Sequence, residues 1–438
     1  MSPSARSIDR RQLLVGGVTG ALALGLAPVA RATSASRPAR RTAPSERITL
    51  GFIGVGMMGR GHLGGFLGQD DVQVLAVCDV ETTRRENAVK QVEARYAEAT
   101  RSGTYRGCDG FVDFRDLLAR DDIDAVVIAT PDHWHVLNAL HAIAAKKDVY
   151  CEKPLTHSIR EGRLLVDAVR NAGTVFQTGS QQRSEFGGRF RTAVDLIRNG
   201  RIGRLKTVRV GVGAPPVACD LPTEPTPADV DWDLWLGPAP ERGYNEILCP
   251  KGMHGHFPAF RNYLEYAGGG LADMGAHHFD IAQWAMDRDA SGPVRIVPPA
   301  DGSKSGLEFV FDDDVRMIHG GPSGCTFEGT DGSIYVDRGE LKSEPGSILE
   351  TPLTDADRRV YHSENHHRNW IECIRTRKRP ICDVEIGHRS ASLCHLANIA
   401  YRLGRELTWD PVAERFANDD AANALLFREP RGPWTYEL

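Results

Sequence analysis

Three short stretches hold the residue types needed to take a hydride from a carbon and a proton from the oxygen it carries. That chemistry asks for a base at the hydroxyl and a cation or donor to steady the charge developing on oxygen. The first stretch is Cys151-Glu152-Lys153-Pro154. It closes an apolar strand, so Lys153 stands at a strand end, where its ammonium can hydrogen-bond a reacting oxygen and desolvation would lower its pKa. The second runs from Gly268 to Asp280, GGGLADMGAHHFD. Its triple glycine predicts a tight loop that puts Asp273 at the N-cap of the next helix. His277 is then the proton acceptor. Asp280, three residues on along the same helical face, would orient it and raise its basicity, whereas His278 faces elsewhere and reads as structural.

The third stretch is Ala129-Thr130-Pro131-Asp132-His133-Trp134-His135. Thr130 and Pro131 form a strand-end loop that can lie against a flat ligand. His133 and His135 are an HxH pair, which raises the question of a metal, with His254, His256, His366 and His367 as recruits. Tetrahedral sites want three or four ligands, and no thiolate or carboxylate spacing here completes one, so the reading is metal-free. Trp232, in Trp232-Asp233-Leu234-Trp235, either stacks on a sugar ring or pins its loop to the core. The expected substrate contacts are Lys153, Asp273, His277, Asp280 and Trp232.

Positioning these groups takes a sheet. The strand Ile48–Ile53 runs into Gly54-Val55-Gly56-Met57-Met58-Gly59, the dinucleotide fingerprint. Gly54 makes the turn, Gly56 lets backbone N–H groups of the Met57-Met58 turn approach a pyrophosphate, and Gly59 lets the following helix pack closely. Val72 to Cys78 is a second strand ending in Asp79, 20 residues past Gly59, where a carboxylate accepts from an adenosine ribose. Glu81 would repel a 2′-phosphate and favours NAD, while Arg84 and Arg85 leave NADP open. Apolar strands at 123–130, 148–151 and 174–178 alternate with helices at 81–100, 132–146 and 159–171, the pattern of a doubly wound parallel sheet. Right-handed crossovers then line up Gly54, Thr130 and Glu152 along one crevice. The cofactor set is completed by Pro131, His133, His135, Lys153 and Gln181.

Beyond about Ser180 the texture changes. A helix at 186–199 and a strand at 205–212 precede a Pro-rich irregular segment at 214–240. Short alternating runs at 306–311, 314–319, 325–328 and 333–337 suit an antiparallel sheet, and helices return at 366–377 and 388–403. The expected architecture is α/β: an N-terminal Rossmann sheet at 47–180, then an α+β domain at 181–438 with a large open, mostly antiparallel sheet for substrate binding and oligomerisation.

The chain has 438 residues, nine cysteines and a formal net charge of −5. An acidic chain with no basic block argues against nucleic acid. The odd cysteine count without a CxxC pair reads as core thiols. Arg10-Arg11 opens a twin-arginine pattern, followed by a mildly apolar run to Ala30 and a small-x-small cleavage site at Ala30–Ala32. Glycines within that run argue against a stable membrane anchor. Residues 1–32 therefore read as a signal for export to the periplasm, cleaved near Ala32, and 33–46 as a flexible arm. An exported dinucleotide enzyme has to load its cofactor beforehand and hold it tightly, turning it over in place.

Together, GFIGVGMMG, ATPDHWH, CEKPLTHS and DMGAHHFDIAQWA resemble the glucose–fructose oxidoreductase/inositol dehydrogenase (Gfo/Idh/MocA) family, in its exported branch. The resemblance implies a catalytic group of Lys153, Asp273 and His277, substrates that are sugars, polyols or glycosides, and a homodimer or homotetramer. Exported relatives include dehydrogenases that form 3-keto sugars and redox-neutral NAD-dependent glycosidases. The latter carry a mid-chain His and Tyr constellation for which His254, His256 and Tyr263 are the nearest candidates. A non-catalytic sugar-binding protein with a vestigial cofactor site is the remaining alternative.

Overall fold

The computed structural model describes residues 46–437. The twin-arginine segment, its cleavage point and the 33–46 arm, save Glu46, lie outside the described residues.

Six strands form a parallel sheet: β1 (Ile48–Ile53), β2 (Val72–Cys78), β3 (Asp109–Phe111), β4 (Ala125–Ile128), β5 (Asp148–Cys151) and β6 (Phe176–Thr178). Their order is β3-β2-β1-β4-β5-β6. β4 and β5 are buried at every position, as a sheet covered by helices on both faces requires. Local signals set the helices: Ser158 caps the Ile159–Ala172 helix by accepting the N–H of Glu161. The predicted helix at 81–100 instead breaks at Tyr96. Its ring turns into the core 4.7 Å from Tyr105, and its hydroxyl accepts the Val74 N–H. The predicted helix from Asp132 starts as a 3-10 turn to Trp134 and becomes α-helical over His135–Ala144. Trp134 holds that turn by donating to the carbonyls of Leu234 and Trp235 at 3.0 Å each.

The second sheet is larger and mostly antiparallel. It contains β7 (Leu205–Gly211), β8 (Arg295–Val297), β9 (Glu308–Val310), β10 (Arg316–Gly329), β11 (Ser333–Val336), β12 (Leu341–Glu344), β13 (Leu407–Asp410) and β14 (Arg415–Phe416). The two runs expected at 314–319 and 325–328 are joined in β10, which doubles back at Gly320–Ser323. Residues Arg316–His319 climb in register with Thr207–Val210, and Cys325–Glu328 descend over the same residues. β7 is thus clasped on both sides. The helices Gly269–Ala285 and Val384–Leu403 pack on this sheet through Leu271, Phe279, Leu393 and Leu396, all essentially inaccessible. Eight of the nine cysteines are buried and Cys219 is half-buried; all are free thiols. Among the described residues, no helix is long and apolar enough to cross a membrane.

Candidate active site

The strand ends of the parallel sheet build one side of a cleft. Gly54 has φ +85°, and a Cβ there would sit 2.8 Å from the Thr130 backbone. A Cβ at Gly59 would strike the Gly54 carbonyl oxygen. Both positions exclude any larger residue. Gly56 differs: a Cβ there would meet nothing within 4 Å, so its bare backbone serves a ligand rather than packing. Asp79 lies at the β2 end, where Oδ2 accepts the Val55 N–H at 2.9 Å and Oδ1 the Glu81 N–H at 3.0 Å. Each oxygen keeps a lone pair for a ribose hydroxyl. Gly54, Gly56, Met57, Met58, Asp79, Thr130 and Pro131 all line one cavity.

The opposite wall is a strap from Leu248 to Arg261 that sequence reasoning did not assign to the cofactor; Leu248, Pro250, His254 and Phe260 face the same cavity. Polar latches tie it to the dinucleotide half. Arg84 donates to the carbonyls of Pro250 and Gly252, buried Glu81 accepts the Gly252 N–H at 3.2 Å, and Arg60 donates to the His254 carbonyl at 2.6 Å. Arg85 donates to the Asp79 carbonyl at 2.7 Å. The two arginines that left NADP open are therefore engaged by backbone carbonyls.

Beside this cavity, past Arg261, the end of β5 meets the Gly269–Ala285 helix. Lys153, just past β5, donates to Asp273 Oδ1 at 2.7 Å and to the Asp273 carbonyl at 2.9 Å. An ammonium has three N–H groups, so one remains for a substrate oxygen. Asp273 is not an N-cap: the triple glycine forms the first turn of the Gly269–Ala285 helix, capped at Gly268, because Gly269 and Gly270 pack directly on the backbone of residues 213–216. Asp273 and His277 thereby fall one turn apart on one face. Burial pushes the Asp273 carboxyl up, but Lys153 and Arg261, the latter at 3.6 Å, outweigh it and hold it below the usual range. Burial, reinforced by the charges of Lys153 and Arg338, holds His277 well below its ordinary value. His277 is neutral near pH 7, and its buried Nδ1 has no partner among the described residues.

Glu152 faces the same region. Its Oε1 accepts from Gln181 Nε2 at 2.6 Å and lies 2.8 Å from His62 Nε2, while Oε2 is buried without a partner among the described residues. That orphaned oxygen, the bare Gly56 cradle and the open lone pairs of Asp79 fit a dinucleotide.

Four expected contacts play other parts. Asp280 does not orient His277 or reach substrate, because it is fully buried in a bidentate pair with Arg183 at 2.7 and 2.8 Å and also accepts from Ser390. Arg183 reaches on to Asp289. Arg183→Met is expected to destabilise the fold by about 3–5 kcal/mol through the stranded acids, read by chemical denaturation; a loss under about 1 kcal/mol would contradict it. Trp232 stacks on Trp235 at 4.6 Å and 11° and donates to the Arg242 carbonyl, so it pins its loop. His133 is buried against Trp235 and Tyr266, with Nε2 3.1 Å from the Trp235 carbonyl. His135 bridges loops, its ring nitrogens 2.7 and 2.9 Å from the Pro154 and Thr130 carbonyls. The HxH rings thus serve different carbonyls behind the cavity wall. His62, Arg261 and Arg338 were not anticipated; they come from a helix interior, an irregular segment and a turn, none of which carries a periodic signal.

Residues 217–436 match the model of the oxidoreductase family's C-terminal alpha/beta domain, and residues 48–180 match its NAD-binding Rossmann fold. The chain belongs to the Gfo/Idh/MocA oxidoreductase family. It is an NAD-binding oxidoreductase. Among Gfo/Idh/MocA relatives, the uncharacterized oxidoreductase YrbE of Bacillus subtilis (strain 168) is 24% identical over 383 residues, spanning 82% of this chain and 96% of its own. A glycosyl hydrolase family 109 protein of Shewanella putrefaciens is 30% identical over 158 residues, 36% of this chain but only 33% of that protein. The WlbA dehydrogenase of Bordetella pertussis, solved with NADH and UDP-GlcNAcA, shares the fold with a TM-score of 0.55 and 19% identity, over 83% of this chain and 99% of that one. The aldose–aldose oxidoreductase of Caulobacter crescentus does so with a TM-score of 0.56 and 17% identity, over the same shares.

Proposed function

We propose that this protein is an exported oxidoreductase acting on a hydroxyl of a sugar, polyol or glycoside with NAD held in place between turnovers. The observation that carries the reading is the convergence of Lys153 on Asp273 at 2.7 Å, one helical turn before the unpartnered imidazole of His277. NAD, when bound, supplies the hydride acceptor. The third N–H of Lys153 donates to the hydroxyl oxygen and steadies the charge that grows there. Neutral His277 takes the hydroxyl proton. A base held so low accepts it only as the alcohol becomes acidic, in concert with hydride loss. Asp273 holds Lys153 in position. The residues around Gly54, Asp79, Thr130 and Glu152 would hold the cofactor.

The strap supports retention of the cofactor. Arg84→Ala removes two strap hydrogen bonds and is expected to speed NAD loss on dialysis at least tenfold, measured as nucleotide per protein over time. Equal loss from both proteins would contradict the strap's role. Export rests on the twin-arginine pattern at Arg10-Arg11, and fusion of residues 1–46 to a reporter tests it: periplasmic delivery that fails with both arginines changed to lysine is the expected result. A homo-oligomer formed through the second sheet is proposed on the same footing, with β12 exposing alternate side chains.

The partial likeness to the family 109 glycosyl hydrolases supports a second reading, a redox-neutral glycosidase on the same site. Release of free aglycone with no net change in cofactor redox state would select it.

A further inference from the structure

The turn between β11 and β12 sets one exposed cation near Asp273 and His277. Its backbone is fixed by Asp337, whose Oδ1 accepts the N–H groups of Gly339 at 2.7 Å and Glu340 at 2.6 Å. Oδ2 accepts from the Tyr335 hydroxyl. Arg338 projects from this turn and donates through Nε to Gln182 Oε1 at 3.0 Å. Gln182 is 1% exposed and donates in turn to the His277 carbonyl at 3.3 Å. The Arg338 guanidinium lies over the Phe186 ring, 5.0 Å from its centroid. An arginine gripped by Nε and by a ring face keeps its two Nη groups as an open fork, the geometry that matches a carboxylate or phosphate.

The charges around the fork leave it unanswered. Lys153 and Arg261 share Asp273, and Glu152 is taken by His62 and Gln181. Burial pushes the Asp132 carboxyl up to about 7 against the opposing charge of Arg261. Among the described residues no carboxylate lies within 4 Å of Arg338, although its charge is felt at Asp273, His277 and His278.

We infer that Arg338 recognises an anionic group on the substrate, so that the molecule oxidised beside His277 carries a carboxylate or a phosphate. The inference rests on the reading of this cleft as a sugar-oxidising site. Its test compares methyl glucoside, its 6-carboxylate and its 6-phosphate on the NAD-loaded protein, at low and high salt. One anionic member is expected to exceed the neutral one at least tenfold in kcat/KM, less so at high salt, and which of the two does so names the anion. Arg338→Gln should cut that ratio tenfold or more, and Arg338→Lys should restore part of it. A neutral-preferring wild type, or a ratio untouched in Arg338→Gln, would overturn the inference. If none of the three is oxidised, the sugar-oxidation reading fails for this series, and calorimetric titration still decides: anion binding weakened tenfold in Arg338→Gln upholds the fork, while equal or absent binding overturns it.

Discussion

Lys153→Ala and His277→Ala are each expected to lower turnover by about 10²–10⁴-fold while leaving bound NAD in place. The two variants fail for different reasons. Without Lys153 the oxygen loses its donor, and Asp273 keeps only Arg261 at 3.6 Å. Without His277 the proton has no acceptor, although the Lys153–Asp273 pair stays intact at 2.7 Å. Neither residue touches the Gly54–Gly59 turn, Asp79 or the strap, so nucleotide content after dialysis should match the parent. Single-turnover rates and nucleotide content, measured on the same preparations, check both halves. Undiminished turnover in both variants would remove Lys153 and His277 from the mechanism. Loss of NAD along with activity would show that the residues support the cofactor instead.

The second large effect is on stability in mild acid. Burial holds His133 at about 3 and His278, His366 and His395 at about 4, against 6.5 for a free imidazole. Below pH 6.5 the unfolded chain binds protons that the folded chain refuses, so stability falls as pH falls. At pH 5 each such histidine costs about 2 kcal/mol. Asp132 works the other way, since its raised carboxyl takes a proton in the folded state first, returning about 2–3 kcal/mol. The net loss of about 5 kcal/mol is a large part of an ordinary folding free energy. The melting temperature should drop by about 6 °C between pH 7 and pH 5, and replacing His278 with Asn should flatten that slope. A melting temperature constant across the interval would mean that these imidazoles are charged in the folded protein.

The sequence reading succeeded where chemistry and local pattern coincide. The strand before Lys153 appears where its apolar run ends, and the Gly54–Asp79 spacing places the cofactor half of the cleft. Asp273 and His277 share one helical face because four residues make one turn, a relation visible without knowing where the helix begins. The errors share a cause. Asp280 was paired with His277 by helical spacing, yet the helix turns it toward Arg183, 97 positions away in the chain. Trp232, open to a sugar or to its own loop, is held in the loop by its stacking partner three residues on. The strap and Arg338 depend on contacts such as Arg84 with Gly252 and Arg338 with Gln182, separated by 168 and 156 residues. Pairings of that kind follow from the docking of the two sheets, and no periodicity announces them.

The central claim is that NAD stays bound and takes a hydride from a sugar hydroxyl beside His277. The most direct measurement is the near-ultraviolet absorbance of extensively dialysed protein, before and after adding a panel of sugars and glycosides with neutral and anionic members. The account expects a retained nicotinamide whose absorbance rises with one substrate class and stays raised. Protein that emerges from dialysis without nucleotide, and shows no absorbance change with any sugar when NAD is restored, would contradict it.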